Sequence, residues 1–185
     1  MTRITGAVLT LALLAALPVV AGASPAGAAT AEGADSAHAT TATAPARPAD
    51  LAIDQAGRAH AWRGEVGTLT VLDFAATWCA PCRRSLPRLQ ELQDSHPELR
   101  VLVVSVDDTP AQRDRLVEDL SLHLPVVWDE GHRIAEHYRP GGMPATVVLD
   151  AAGREVYRHT GSGEADWRHL VDVVESRLDA ATGSH

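Results

Sequence analysis

Apolar residues are distributed along the chain in three textures. Ile4–Leu17 is a largely apolar run, entered from Arg3 and closed by Pro18. Residues 24–49 are rich in Ala, Thr, Pro and Gly and almost lack large apolar side chains. From Leu51 onward, apolar positions recur with strand or helix periods. Leu51–Ile53 and Ala59–Trp62, separated by Asp54-Gln55-Ala56-Gly57, predict a small hairpin. Thr68–Ala76 is apolar enough for a central strand buried on both faces. A helix is expected from about Ala80 to Ser95, with Leu86, Leu89 and Leu92 as its stripe, a kink at Pro87, and an end at His96-Pro97. Arg100–Val106 is a second buried strand. Asp107-Asp108-Thr109-Pro110 reads as a helix start, a cap followed by proline in the first turn. That helix runs to about Leu122, with Leu116, Val117 and Leu120 inward. Pro125–Trp128 is a short extended piece and Gly131–Tyr138 a short helix. After the turn Arg139–Pro144, Ala145–Asp150 and Arg154–His159 form an antiparallel hairpin. A last helix, Glu164–Asp179, turns Trp167, Leu170, Val171, Val174 and Leu178 inward.

The order is β-β-β-α-β-α-(β)-α-β-β-α, with no internal repeat. Strands alternating with helices give parallel pairs, and the last hairpin adds antiparallel ones. The expected class is α/β: a mixed sheet with helices on both faces, preceded by a short N-terminal β-hairpin.

The first two textures carry no fold of their own. A basic start, an apolar run and Ala21-Gly22-Ala23 make residues 1–23 a secretory signal peptide. The alternative is an uncleaved anchor, since Ile4–Ala23 is about long enough to span a bilayer. Residues 24–49 cannot bury enough surface to offset their ordering entropy and read as a disordered linker. The folded domain is expected over residues 50–180.

Composition narrows the chemistry. The chain has 185 residues, a formal charge of −8, and 16 basic residues that are all arginine. An acidic chain with no basic stripe gives no footprint for nucleic acid. The two cysteines, Cys79 and Cys82, are too few and too close in sequence for a disulfide scaffold. Placed after a buried strand and at a helix start, they are a reversible redox pair. Unsatisfied N–H groups and the helix dipole favour a thiolate there. Cys79, at the outer end, is the expected nucleophile, and Cys82, a turn further in, the resolving thiol. Pro81 between them fixes one backbone angle and withholds an N–H. Trp78 is expected at a contact surface, and Arg83 and Arg84 as solvated surface residues.

Asp73 stands in an otherwise apolar strand. Burial would raise its pKa and suit it to exchange a proton with Cys82; the alternative is an outward-facing residue at the strand end. Gly142-Met143-Pro144 before a strand admits a cis bond, which would expose the Met143 backbone to an extended substrate; the alternative is an ordinary trans turn. Other uses of the thiols are open. Zinc would need two more ligands than one C-x-x-C supplies. Cu(I) could take His123 or His132 as a third ligand. Attack on peroxide and a non-catalytic adaptor role are further options. His60, His96, His159 and His169 are read as surface or core-edge residues.

Val71-Leu72-Asp73-Phe74, Trp78-Cys79-Ala80-Pro81-Cys82-Arg83 and Gly142-Met143-Pro144-Ala145 resemble the thioredoxin superfamily. The approach hairpin, Arg83-Arg84-Ser85-Leu86-Pro87 and the strand from Ala145 resemble its TlpA/ResA branch of exported thiol–disulfide oxidoreductases. The resemblance covers about Ala49 to Leu178. It implies a thioredoxin-like fold, catalytic Cys79, Cys82 and Asp73, and a substrate-binding surface of Trp78, Pro81, Met143 and a cis Pro144. It implies no cofactor beyond the redox-active disulfide. Its implied partners are disulfides of exported proteins, such as apocytochrome c or copper-site proteins, with a membrane thiol transporter as electron donor and a location in the periplasm or on the outer face of the cytoplasmic membrane. The chain departs from the pattern at Ala75, where tryptophan is usual, at Ala145, where threonine is common, and at Ser85, where some members carry a glutamate tied to cytochrome c maturation. The Ala-Pro dipeptide, with no histidine, favours a reducing role.

Overall fold

The strand that organises the sheet is Thr70–Ala75 (β3), six residues all buried. The computed structural model describes residues 48–183. The expected leader and nearly all of the expected linker therefore lie outside the described residues. Ala49, expected to close that linker, instead lies in a 3₁₀ turn, Pro48–Asp50, where its carbonyl accepts a bond from Arg133.

The other elements follow in chain order. Leu51–Ile53 (β1) and Ala59–Ala61 (β2) form a separate antiparallel pair. After β3 come Cys82–Ser95 (α1), Arg100–Ser105 (β4), Pro110–Leu120 (α2), Val126–Trp128 (β5), Arg133–Tyr138 (α3), Ala145–Leu149 (β6), Glu155–Thr160 (β7) and Glu164–Thr182 (α4). The expected order of elements holds. The expected short helix from Gly131 is split: Gly131 and His132 have positive φ, and the α-helix starts at Arg133.

The five-stranded sheet has the order β5-β4-β3-β6-β7. β3 lies parallel to β4 and antiparallel to β6, so the sheet is mixed. Strand residues alternate between faces. Val71 and Ala75 belong to one core cluster with Leu86, Leu89 and Leu92 of α1 and Leu170 and Val174 of α4. Leu72 and Phe74 belong to another with Ile134 and Tyr138 of α3 and with Ala52 and Trp62 of the hairpin region. Each fully buried leucine in these layers contributes roughly 2 kcal/mol. Asp73 lies between Val71 and Ala75, so its side chain emerges on the α1/α4 face. α1 runs through Pro87 as a single helix.

The start of α2 follows the expected pattern of a cap and then proline. Thr109 is the cap: its hydroxyl accepts the Gln112 N–H, and the Gln112 side chain returns a bond to the Thr109 N–H, a complete capping box. Asp107 is thereby free for another task.

Candidate active site

The site assembles where β3 ends. Thr77 and Trp78 turn the chain from β3 toward α1, and Asp107 holds that turn. Its carboxylate accepts the Thr77 N–H at 3.0 Å and the Thr77 hydroxyl at 2.7 Å. Its second oxygen accepts the Ser105 hydroxyl at 2.9 Å. Asp107 is 1% exposed, with both oxygens satisfied. The indole N–H of Trp128 closes the arrangement by donating to the Asp107 carbonyl at 2.8 Å.

Cys79 and Cys82 follow and are joined by a disulfide, their Cα atoms 5.3 Å apart. α1 begins at Cys82 rather than at Ala80, with Pro81 before it making no side-chain cap. Cys79 supplies the bonds that a cap residue makes. Its sulfur accepts the Cys82 N–H at 3.2 Å, and its carbonyl accepts the Arg83 N–H at 3.3 Å. A thiolate on Cys79 would inherit that N–H, which favours the charged form. Cys82 is fully buried, its sulfur 4.0 Å from the Phe74 carbonyl oxygen. Trp78, next to the pair, is 67% exposed, a large apolar surface left uncovered among the described residues.

The Met143–Pro144 peptide is cis. Pro144 is buried, and its carbonyl accepts the Gly161 N–H at 2.8 Å, which ties this turn to the chain entering α4. Gly142 is needed for space: a Cβ there would lie 2.9 Å from Thr160 Cγ2.

Asp73, on the strand that leads to the pair, is fully buried. One carboxylate oxygen accepts the Thr146 hydroxyl at 2.8 Å. The other has no hydrogen-bond partner. Burial pushes its pKa up to about 7, against a smaller lowering by the Thr146 bond. A cleft of about 270 Å³ opens beside it, walled by Ser85 and Leu89 of α1, Pro144 just before β6, Thr146 of β6, and Trp167 and Leu170 of α4. Arg84 is exposed at its edge, and Arg83 pairs with Asp119 at 3.2 Å on the outer side of α1.

The residue missed in the sequence is His159. It lines the same cleft, with Nε2 3.4 Å from Thr146 Oγ1. Asp73 pairs with Thr146, and Thr146 with His159, in direct register across β3, β6 and β7. The register rests on an irregularity: Val148 faces Tyr157 but Leu149 faces Glu155, leaving Val156 as the extra residue. A bulge of that kind is invisible to residue patterning, and without it Arg158 would stand opposite Thr146. His123, weighed above for copper, bonds Asp94 through Nε2 at 2.9 Å. Among the described residues, no three His, Cys, Asp or Glu side chains are grouped to hold a metal ion.

Residues 67–155 match the family model described as thioredoxin-like. This is a thioredoxin-like domain. Its relatives fit the TlpA/ResA-like branch. The chain is 27% identical over 130 residues to the thiol-disulfide oxidoreductase ResA of Geobacillus kaustophilus, covering 68% of this chain and 75% of that one. It is 32% identical over 92 residues to the sporulation thiol-disulfide oxidoreductase A of Bacillus subtilis, a match spanning 47% of this chain and 56% of that one. Among solved structures, StoA from Bacillus subtilis superposes with a TM-score of 0.58 at 23% identity, covering 69% of this chain and 99% of that one. MTB dsbF gives 0.60 at 21% identity, covering 75% and 99%. At such identities the superpositions speak for the thioredoxin-like fold. The activity these relatives are named for is thiol–disulfide oxidoreduction, and it fits the two-cysteine centre at the start of α1.

Proposed function

We propose that this chain is an extracytoplasmic reductase for disulfides of exported proteins. The observation that carries the reading is the Cys79–Cys82 disulfide beside an exposed Trp78, with a buried, half-satisfied Asp73 on the strand that leads to it. In the reduced protein, the Cys79 thiolate attacks a substrate disulfide, forming a mixed disulfide and releasing one substrate thiolate. Cys82 then loses its proton to Asp73 and attacks Cys79. The Cys79–Cys82 bond forms and the second substrate thiolate leaves. Two electrons pass from the dithiol to the substrate. An Asp73 that ionises near pH 7 is matched to accept that proton at neutral pH.

Trp78, Pro81, Met143 and Pro144 form the substrate-docking rim in this reading, the Met143 backbone offering hydrogen bonds to an extended segment. The apolar run Ile4–Leu17 supports export, and no helix of the described residues is long and apolar enough to cross a membrane. A reductase outside the cytoplasm is recharged by a membrane thiol transporter. Ser85 donates to the Cys82 carbonyl at 3.2 Å and leaves the cleft floor without a second carboxylate from α1, which favours substrates other than apocytochrome c.

The test is covalent trapping. Cys82→Ala leaves Cys79 able to attack but unable to resolve, so mixed disulfides accumulate in an exporting cell and identify substrate and donor. Wild type reduces insulin disulfides with dithiothreitol, and Cys79→Ser does not. Absence of both adducts and insulin turnover removes the reading.

A further inference from the structure

A base buried on the strand that leads to the cysteine pair must exchange its proton with solvent once per turnover. Asp73 lines the cleft but exposes no surface of its own, and its second oxygen has no hydrogen-bond partner. What the fold places beside it is a straight row. Asp73, Thr146 and His159 occupy directly paired positions on three adjacent strands, linked at 2.8 Å and 3.4 Å. His159 is half-buried, and its Nδ1 is buried without a hydrogen bond of good geometry.

Resting on the reductase reading above, we infer that His159 is a relay and positioning residue that carries the proton between Asp73 and solvent through the Thr146 hydroxyl. Protonated Asp73 donates to the Thr146 oxygen, and the Thr146 hydroxyl donates to Nε2 of His159 in its Nδ1–H form. Shifting each proton by one bond restores the carboxylate and the hydroxyl and leaves an imidazolium. The Nδ1 proton then leaves on the side of Gly161 and Asp166. One proton enters, one leaves, and no electrons move.

The surroundings suit a carrier rather than a store. Burial lowers the His159 pKa, and His169 lowers it further, while Asp166 and the Gly161 carbonyl partly oppose this. Tyr157 lies with its ring 5.6 Å from the imidazole. Across the cleft, Arg84 and Arg88 of α1 face it, the latter neutralised by Glu164 of α4 at 2.6 Å. A ring held below its ordinary pKa releases quickly the proton that it accepts. Residues 161 and 163 are glycines packed against Asp166: a Cβ at either would lie 3.7 Å or 3.0 Å from its Oδ2.

The experiment measures single-turnover oxidation of the reduced full chain by glutathione disulfide from pH 5 to pH 9. His159→Gln retains an acceptor for the Thr146 hydroxyl but cannot carry charge, and it slows the resolving step about fivefold. His159→Ala is slowed similarly and recovers when imidazole is added, a rescue that a packing role would not give. Thr146→Val is slowed about tenfold and its pH inflection moves upward, because Asp73 loses its hydrogen bond; Thr146→Ser keeps the wild-type profile. His123→Gln, in an exposed pair with Asp94 outside the cleft, serves as the unchanged control. Rates of His159→Gln within twofold of wild type at every pH overturn the relay. So does slowing of folded His159→Ala that imidazole does not relieve. Failure of wild type itself to turn over a disulfide removes the reductase reading, and the relay with it. Folding of each variant is checked by circular dichroism.

Discussion

Asp73 and Asp107 are two buried carboxylates on either side of the turn that leads to Cys79, and the fold treats them in opposite ways. Asp107 receives bonds from Thr77 and Ser105 on both oxygens. Asp73 receives one bond, on one oxygen, and faces a cleft with the other. A third buried carboxylate, Asp129, sides with Asp107: its oxygens accept the Ile134 and Ala135 N–H groups at 2.9 Å and 2.8 Å and cap α3. Buried charge is costly unless paired or hydrogen-bonded. Where the fold uses a carboxylate to hold backbone, it supplies the bonds. Where it withholds them, the ionised form is destabilised, and the group is kept ready to take up a proton near neutral pH.

The largest effect that breaks this contrast is on rate. Asp73→Asn removes the base, and the resolving step slows about 100-fold at pH 8, equivalent to about 2.7 kcal/mol on the barrier. In wild type the same rate rises through about pH 7, where Asp73 ionises, and levels above it. The variant lacks that inflection. Stopped-flow oxidation by glutathione disulfide across the pH range measures both, and an unchanged profile would detach Asp73 from the chemistry.

Asp107→Ala acts on the other half. It leaves the Thr77 N–H and the Ser105 hydroxyl buried without their acceptor, at a cost of about 2 kcal/mol. Urea denaturation reads this as a lower midpoint at unchanged slope. The turnover rate falls far less than in Asp73→Asn, because the cysteines and their base are intact.

Stability should move the opposite way at Asp73. Its pKa is raised above the unfolded value, so ionisation destabilises the folded state. The cost is absent below about pH 4, grows as pH rises, and is complete above about pH 7. Its ceiling is on the order of 4 kcal/mol. An asparagine amide still lacks full partners there, so Asp73→Asn gains only about 1.5 kcal/mol at pH 8 and nothing at pH 4. Thermal unfolding at the two pH values decides this.

Both carboxylates show what the sequence could reveal. The strand Thr68–Ala76 and the cysteine spacing locate the site, and an Asp among Val71, Leu72 and Phe74 announces itself as anomalous. Asp107 hides behind a helix-start pattern that Thr109 satisfies just as well. Only the three-dimensional path of the chain brings Thr77 to Asp107, 30 residues later. Similarly, Thr146 and His159 become neighbours of Asp73 through strand pairing, and a single bulge sets which of Arg158 and His159 faces inward. Local patterns specify elements; long-range register specifies which polar groups meet.

The smallest effect isolates burial as the variable. Asp119 is also a carboxylate beside the active-site helix, paired with Arg83 at 3.2 Å, but its side chain is 44% exposed. Water solvates its charge whether or not the pair forms, and salt screens what attraction remains. Asp119→Asn therefore changes stability by about 0.5 kcal/mol or less and leaves the pH profile of turnover unaltered. If the profile moved with Asp119, long-range charge would be setting the ionisation of Asp73, and the half-satisfied, enclosed position on β3 would lose its explanatory role. With Asp119 silent, the same functional group gives three outcomes in one neighbourhood, distinguished only by access to water and by the number of donors the fold provides.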